Sequence, residues 1–266
     1  MTADVSFPIH IFKTRESACD YFSDGRLSTF FVAKSDRFSQ ELLYSDLATN
    51  GYRRQGDLLY TPHCNDCQCC IPSRVRVDEF KPDRTLSKIW NRNQDLSIRT
   101  VRYEEALSDE SYNLYLKYEK LRHPGSLMAT YSKEQLYKTV FLSNVETFAL
   151  EYRLEGRLVL TAIIDLLAVG VSAVYTYFDP ALARRSLGTF SILKEIEITR
   201  SAGRGRHLYL GLWLSDFPGM EYKSRFTPFE VLWDGKWQLL SNCQNAIREH
   251  SIRVKAQHST SENASD

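Results

Sequence analysis

Residues 147–178 read TFALEYRL-EG-RLVLTAIIDLL-AVG-VSAVYTYF, and this stretch decides the fold. Its runs 147–154, 157–167 and 171–178 are rich in β-branched and aromatic residues. The breaks between them hold only a turn each, which predicts three neighbouring strands. Glu155-Gly156 is the hairpin turn between the first two, because a two-residue connection needs positive φ and glycine adopts it without a Cβ penalty. The third strand stops at Asp179-Pro180, since proline brings no N–H to a ladder.

Toward the C-terminus, Arg184-Arg-Ser-Leu-Gly-Thr189 is a basic loop, and Ile192, Leu193, Ile196 and Thr199 mark one face of a helix over 188–202. His207-Leu-Tyr-Leu-Gly211 is short and nearly all apolar, as a buried parallel strand should be. This order predicts an α+β or α/β domain, a mixed sheet with helices on its faces. Three strands, a basic loop opening a helix, and a further strand is also similar to the order of the acetyltransferase-like (GNAT-type) acyl-transfer fold. In such a loop, free N–H groups and the positive end of the helix favour a phosphate, and arginine adds charge. Arg185 and Gly188 are the candidates for that role. Upstream, Ser97–Tyr103 alternates as a strand, and Ser108 caps a helix whose apolar face is Leu114, Tyr118 and Leu121. Ser132 with Gln135 opens another helix as a capping box. Residues 96–245 are thus expected to form the acyl-transfer domain.

Residues 1–95 have a different texture and are expected to form a smaller N-terminal domain around a cysteine cluster. Ser35 and Asp36 should open a helix with Phe38, Leu42 and Leu43 on its apolar face, ended by Asn50-Gly51. Cys64, Cys67, Cys69 and Cys70 crowd together, with Cys19 upstream. Cys64-x-x-Cys67-x-x-Cys70 offers three thiolates at metal-ligand spacing, with Cys19 as a fourth, a set suited to zinc or an iron–sulfur cluster. Reduced thiols that merely pack the fold satisfy the same spacing, and the sequence leaves both readings open. The stretch from about Glu249 is polar and serine-rich, so 246–266 is expected to be a mobile tail.

A formal net charge of +1 excludes long-range attraction of a polyanion by the whole molecule, so an RNA partner must meet a local patch. No run of about 18 apolar residues occurs, and no membrane span is expected. Met1–Phe7 lacks a charged segment leading into an apolar one, so the expected location is the cytoplasm, where thiols stay reduced.

The run Tyr60-Thr-Pro-His-Cys-Asn-Asp-Cys-Gln-Cys-Cys-Ile-Pro-Ser-Arg-Val-Arg-Val-Asp-Glu-Phe-Lys-Pro-Asp-Arg84 resembles a motif of the bacterial aspartate/glutamate leucyltransferases, relatives of the eukaryotic arginyl-tRNA–protein transferases. The likeness continues at Gly51-Tyr-Arg-Arg54, Arg122-His123, Ala173–Pro180, Arg185–Gly188, Leu208–Gly211 and Met220–Glu230, and runs from about residue 7 to about residue 240. Cys19-Asp-Tyr-Phe-Ser23 departs from the family's Cys-x-Tyr-Leu-Pro, Cys69 is an additional thiol, and Gly211-Leu-Trp213 replaces Gly-Tyr-Trp. The resemblance implies transfer of leucine from leucyl-tRNA to the N-terminal amine of proteins that begin with Asp or Glu, marking them for degradation through the N-degron pathway. Two other readings compete: an acetyl-CoA-dependent acetyltransferase, which rests on the fold alone, and a non-enzymatic, metal-dependent RNA-binding module.

The implied step is aminolysis of an activated ester, which needs no ATP and no cofactor. An α-amine of pKa about 8 is roughly one-tenth neutral at pH 7, so the enzyme must position it, take one proton and stabilise the oxyanion. A substrate carboxylate is best read by a forked guanidinium. Arg74, at the family's Ile-Pro-x-Arg position, is the first candidate, with Arg76 on the same strand face. For the tRNA end, Arg185 and Gly188 suit phosphate, Lys223 adds charge at a family motif, and Trp213 and Tyr222 can stack on the terminal base. Asp179 is the candidate base with Tyr175 beside it, and His123 and His207 are alternatives. A single chain is expected to suffice.

Overall fold

The three-strand run forms as its patterning predicts. Its hairpin closes with both turn residues at positive φ, Glu155 at 51° and Gly156 at 83°. The computed structural model describes residues 9–34, 40–65, 67–203 and 205–262. The chain begins with β1 (His10–Lys13), β2 (Ser17–Ala18), β3 (Leu27–Ser28), β4 (Phe30–Lys34), α1 (Gln40–Thr49), β5 (Arg53–Gln55) and β6 (Leu58–Pro62). It continues with β7 (Ile71–Arg76), α2 (Arg84–Arg92), β8 (Ser97–Arg102), α3 (Tyr103–Ala106), α4 (Asp109–Arg122) and α5 (Lys133–Leu136). The remainder is β9 (Glu146–Leu154), β10 (Arg157–Leu167), β11 (Gly170–Phe178), α6 (Leu187–Ala202), β12 (His207–Trp213), β13 (Phe229–Trp233), β14 (Lys236–Leu239) and α7 (Leu240–Glu262).

The main sheet is mixed and eight-stranded, in the order β14-β13-β7-β12-β11-β10-β9-β8. β11 and β12 pair in parallel through the α6 crossover, while the other neighbours described are antiparallel. One face packs on α2, α6 and α7 through Leu86, Ile89, Phe190, Leu193, Ile196 and Ile247. The other carries α3, α4 and α5 on Leu114, Tyr115, Leu136 and Ile163. β10 is buried at all but two of its positions, which is why its sequence reads as a continuous apolar run. A second sheet, β1-β4-β6-β5, is joined to the first beneath α1 by Tyr44, Leu59, Leu167 and Tyr209. No helix among the described residues is long and apolar enough to cross a membrane.

Both predicted caps are present. Ser108 accepts from Ser111 N at 3.1 Å, and Ser132 and Gln135 close the box reciprocally. Three expectations need correction. First, Leu121 is 60% exposed, and the buried stripe of α4 is instead Ser111, Leu114, Tyr115 and Glu119. Second, the boundary at residue 95 does not follow the sheet. β7 lies between β13 and β12, and the alternating Ile71, Ser73 and Val75 fill the centre of the large core. Third, the expected mobile tail is helical through Glu262. Cys243, Ile247, Ser251 and Val254 recur at helical spacing and are buried, a seam too dilute to stand out among polar neighbours. The proposed opening of α1 at Ser35, Asp36 and Phe38 lies outside the described residues.

Candidate functional site

β11 and β12 pair only at Gly170↔His207, Val171↔Leu208 and Ser172↔Tyr209, although both strands continue. β12 then shifts register against β7 between Tyr209 and Gly211. The sheet therefore opens, with Ala173–Phe178 on one lip and Leu210–Trp213 on the other. Gly211 sits on the second lip at φ +74°, and a Cβ there would lie 2.7 Å from the guanidinium carbon of Arg53. The missing side chain makes room for that guanidinium, which also lies 5.9 Å from the centre of the Tyr60 ring. Lys223 comes from the turn at Glu221–Arg225 and donates to the Leu212 carbonyl at 2.6 Å. Burial, then the neighbouring charge of Arg53, brings its ammonium down to about 7. Gly211→Ala should cost about 1–2 kcal/mol from the left-handed backbone alone, read as a shift in urea midpoint, and should push Arg53 off its seat.

The strand alternation explains how Arg53 reaches this opening. Successive strand residues point to opposite faces, so the Arg53-Arg54 doublet on β5 splits. Arg54 turns inward, to a fully buried ion pair with Asp165 at 2.7 and 3.0 Å. Arg53 turns toward β12. Gly51-Tyr-Arg-Arg54 was visible in the sequence, but nothing there distinguishes the two arginines or tells which one pairs with Asp165.

Several candidates are engaged elsewhere. Arg74 and Arg76 both bind Glu230, to one carboxylate oxygen each, at 2.8 Å. Arg74 also stacks over Trp237 at 4.2 Å. Both guanidinium groups thus already have a carboxylate partner within the protein. Burial, helped by Arg74, pushes His207 down to about 4, so it is neutral near pH 7. Trp213 is 5% exposed and meets Phe229 edge-on in the core, whereas Tyr222 is 40% exposed. Of the two, Tyr222 alone presents a surface on which a base can stack. Arg185 forks onto Asp95 through two contacts of 2.8 Å, so its charge is shared with that acid. Gly188 stands in the first turn of α6, where a Cβ would come within 3.1 Å of Phe178.

Asp179 is enclosed by hydrogen-bond donors. It is 2% exposed and is held by Lys117 at 2.5 Å, Arg157 at 2.7 Å and the Ala181 N–H at 3.0 Å. Burial alone would raise its carboxyl, but these donors outweigh it and hold it below the usual range. Its place is that of an N-cap closing the turn after β11. Tyr175 donates to Glu119, and burial, then that carboxylate, pushes the phenol far up. Oε2 of Glu119 is buried without a partner, and the sequence reading missed this acid because it lies mid-helix. His123 is the exposed C-cap of α4, near Tyr118.

Cys19, Cys64, Cys67 and Cys70 are neighbours. Burial first, then the other thiols, raise Cys70. Cys67 is lowered chiefly by a hydrogen bond with Cys69, assisted by Arg26 at 3.4 Å. As placed they do not make a chelating set: among the described residues, no three His, Cys, Asp or Glu side chains converge to hold an ion.

Residues 17–88 match the family model described as arginine-tRNA-protein transferase, N terminus, and residues 110–233 match its C-terminus counterpart. The chain is 40% identical over 230 residues to an aspartate/glutamate leucyltransferase of Alcanivorax borkumensis, covering 86% of this chain and 93% of that one. It is 40% identical over 240 residues to that of Chromohalobacter salexigens, covering 90% and 94%. The relative in Chromobacterium violaceum is 37% identical over 232 residues, covering 87% and 94%. Among solved structures, the C-terminal domain of a putative lysylphosphatidylglycerol synthetase from Agrobacterium fabrum superimposes with a TM-score of 0.48 at 14% identity, over 74% of this chain and 63% of that one.

Proposed function

The chain belongs to the arginine-tRNA-protein transferase family, among its bacterial aspartate/glutamate leucyltransferases, and from that premise we propose that it transfers leucine from leucyl-tRNA to the N-terminal amine of proteins beginning with Asp or Glu. The observation that carries this reading is the match of both halves of the chain to the family at 37–40% identity, over nearly the full length of the relatives. The product is a protein with N-terminal leucine, which we read as a signal for N-degron degradation in the cytoplasm. The strand order supports a GNAT-like acyl-transfer domain, and one chain supplies every residue named in the site.

The geometry suits the step. The split between β11 and β12 admits an extended peptide end beside the carbonyl of the leucyl ester. The first turn of α6, where Ser186 provides no side-chain cap, offers N–H groups to the 3′-terminal phosphate of tRNA. Tyr222 is the platform for the terminal adenine. The α-amine attacks the ester carbonyl, the ribose oxygen leaves, and one proton passes from nitrogen to that oxygen. Glu119, steadied by Tyr175, takes over the proton-handling role that the sequence assigned to Asp179. The cysteine-rich N-terminal segment packs beside the site through Arg53 and Tyr60. Zinc or an iron–sulfur cluster on Cys19, Cys64, Cys67 and Cys70 would require these side chains to close up, and no step is routed through it.

The test uses radiolabelled leucyl-tRNA with peptides that begin Asp, Glu, Ala or Lys. Label entering the Asp and Glu peptides is the expected result. Acetylation dependent on acetyl-CoA, or a tRNA mobility shift without any transfer, overturns the proposal.

A further inference from the structure

We propose that Arg53 and Lys223 together form the pocket that grips the side-chain carboxylate of the acceptor's N-terminal Asp or Glu; this rests on the leucyl-transfer reading and replaces Arg74 and Arg76 as the source of specificity. Both residues are half-buried at the Gly211–Leu212 lip of the opened sheet. Neither has an acidic partner among the described residues. The groups that bear most on Arg53 are the phenols of Tyr60, Tyr21 and Tyr44 and the thiol of Cys70, and the charge that bears on Lys223 is Arg53 itself. Two like charges drawn out of water at the same lip repel, and burial makes this worse. An anion between them relieves both costs at once.

The arrangement is built. Gly211 leaves its Cβ space to the guanidinium, Tyr60 lies beneath it, and the Leu212 carbonyl fixes the ammonium. A planar guanidinium and a point ammonium can each take one carboxylate oxygen. The Tyr60 ring, 5.9 Å from the guanidinium carbon, adds an aromatic surface beside the cation. In Asp and Glu the carboxylate lies only two or three bonds from the α-carbon, so holding it at this lip holds the amine at the mouth of the split. Arg74 and Arg76 differ in that Glu230 already supplies their anion.

The experiment compares peptides that begin Asp, Asn, Glu and Gln, with wild type, Arg53→Gln and Lys223→Met, and measures leucyl-tRNA binding in parallel. Wild type should strongly prefer the acids. A charge-assisted hydrogen bond is worth about 1.5–3 kcal/mol, so each variant should raise KM for the Asp peptide about 10- to 150-fold. The Asp-over-Asn preference should collapse while leucyl-tRNA affinity holds within about twofold, and Arg53→Lys should restore part of the preference. Retained acid preference in either variant overturns the proposal, because it leaves the discrimination elsewhere. Equal loss of tRNA binding and peptide transfer also overturns it, since the two cations then serve an RNA phosphate or the fold. A wild type that modifies no peptide sinks the leucyl-transfer reading itself, a separate result.

Discussion

Asp165→Ala should unfold this protein more readily than any other single change named here, by about 3–5 kcal/mol, as is typical when one partner of a buried ion pair is removed. Arg54 and Asp165 are both fully buried. The guanidinium also donates to the Gly56, Leu142 and Val140 carbonyls at 3.2, 3.0 and 3.2 Å, and Thr147 donates to Asp165 at 2.6 Å. Truncation leaves a charged group inside with no counter-ion, far from water. The pair also ties β5 of the smaller sheet to β10 of the larger, so its loss loosens the seam between them. With a total stability of roughly 5–15 kcal/mol, such a loss is a large fraction of what is there. Urea denaturation followed by circular dichroism reads it. A midpoint within error of wild type would mean that the pair is not what joins the two sheets.

Arg74→Ala is the second. It should cost about 2–4 kcal/mol, a little less than a fully buried pair because the Arg74 side chain is 12% exposed against 4% for Glu230. Stacking on Trp237 is lost as well. Preference for acidic peptides should survive in the fraction that stays folded, which separates a strut from a receptor. The pH dependence follows from Glu230. Burial alone would raise its carboxyl, but Arg74 and Arg76 outweigh that and hold it below its ordinary value. A depressed carboxyl contributes stability above its unfolded pKa and loses it as pH falls through the folded one. Wild type should therefore lose stability as the solution is acidified below the usual carboxylate range, and Arg74→Ala should show a shallower fall. An unchanged slope, or an Arg74→Ala enzyme that is fully stable yet blind to acid, would restore Arg74 to the substrate pocket.

Much of the scaffold was readable from residue order. The hairpin at Glu155-Gly156, the caps at Ser108 and Ser132, and the β11–α6–β12 crossover depend on neighbours within a few positions, and local backbone preference carries that information. The motif from Tyr60 to Arg84 likewise located the family. The dilute seam of α7 and the insertion of β7 into the large sheet were not readable, because each depends on a partner far along the chain.

Charge pairing belongs to the same divide. The sequence by itself determined the strands, their turns, the helix starts and which arginines exist. Only the tertiary structure decided that Arg74 and Arg76 are spent on Glu230, that Asp179 is clamped by Lys117 and Arg157, and that Arg53 and Lys223 meet at one lip of the sheet with no acidic partner among the described residues. A backbone preference acts over a few bonds, whereas the free energy of an ionised side chain is set by whichever groups folding brings within a few ångströms of it.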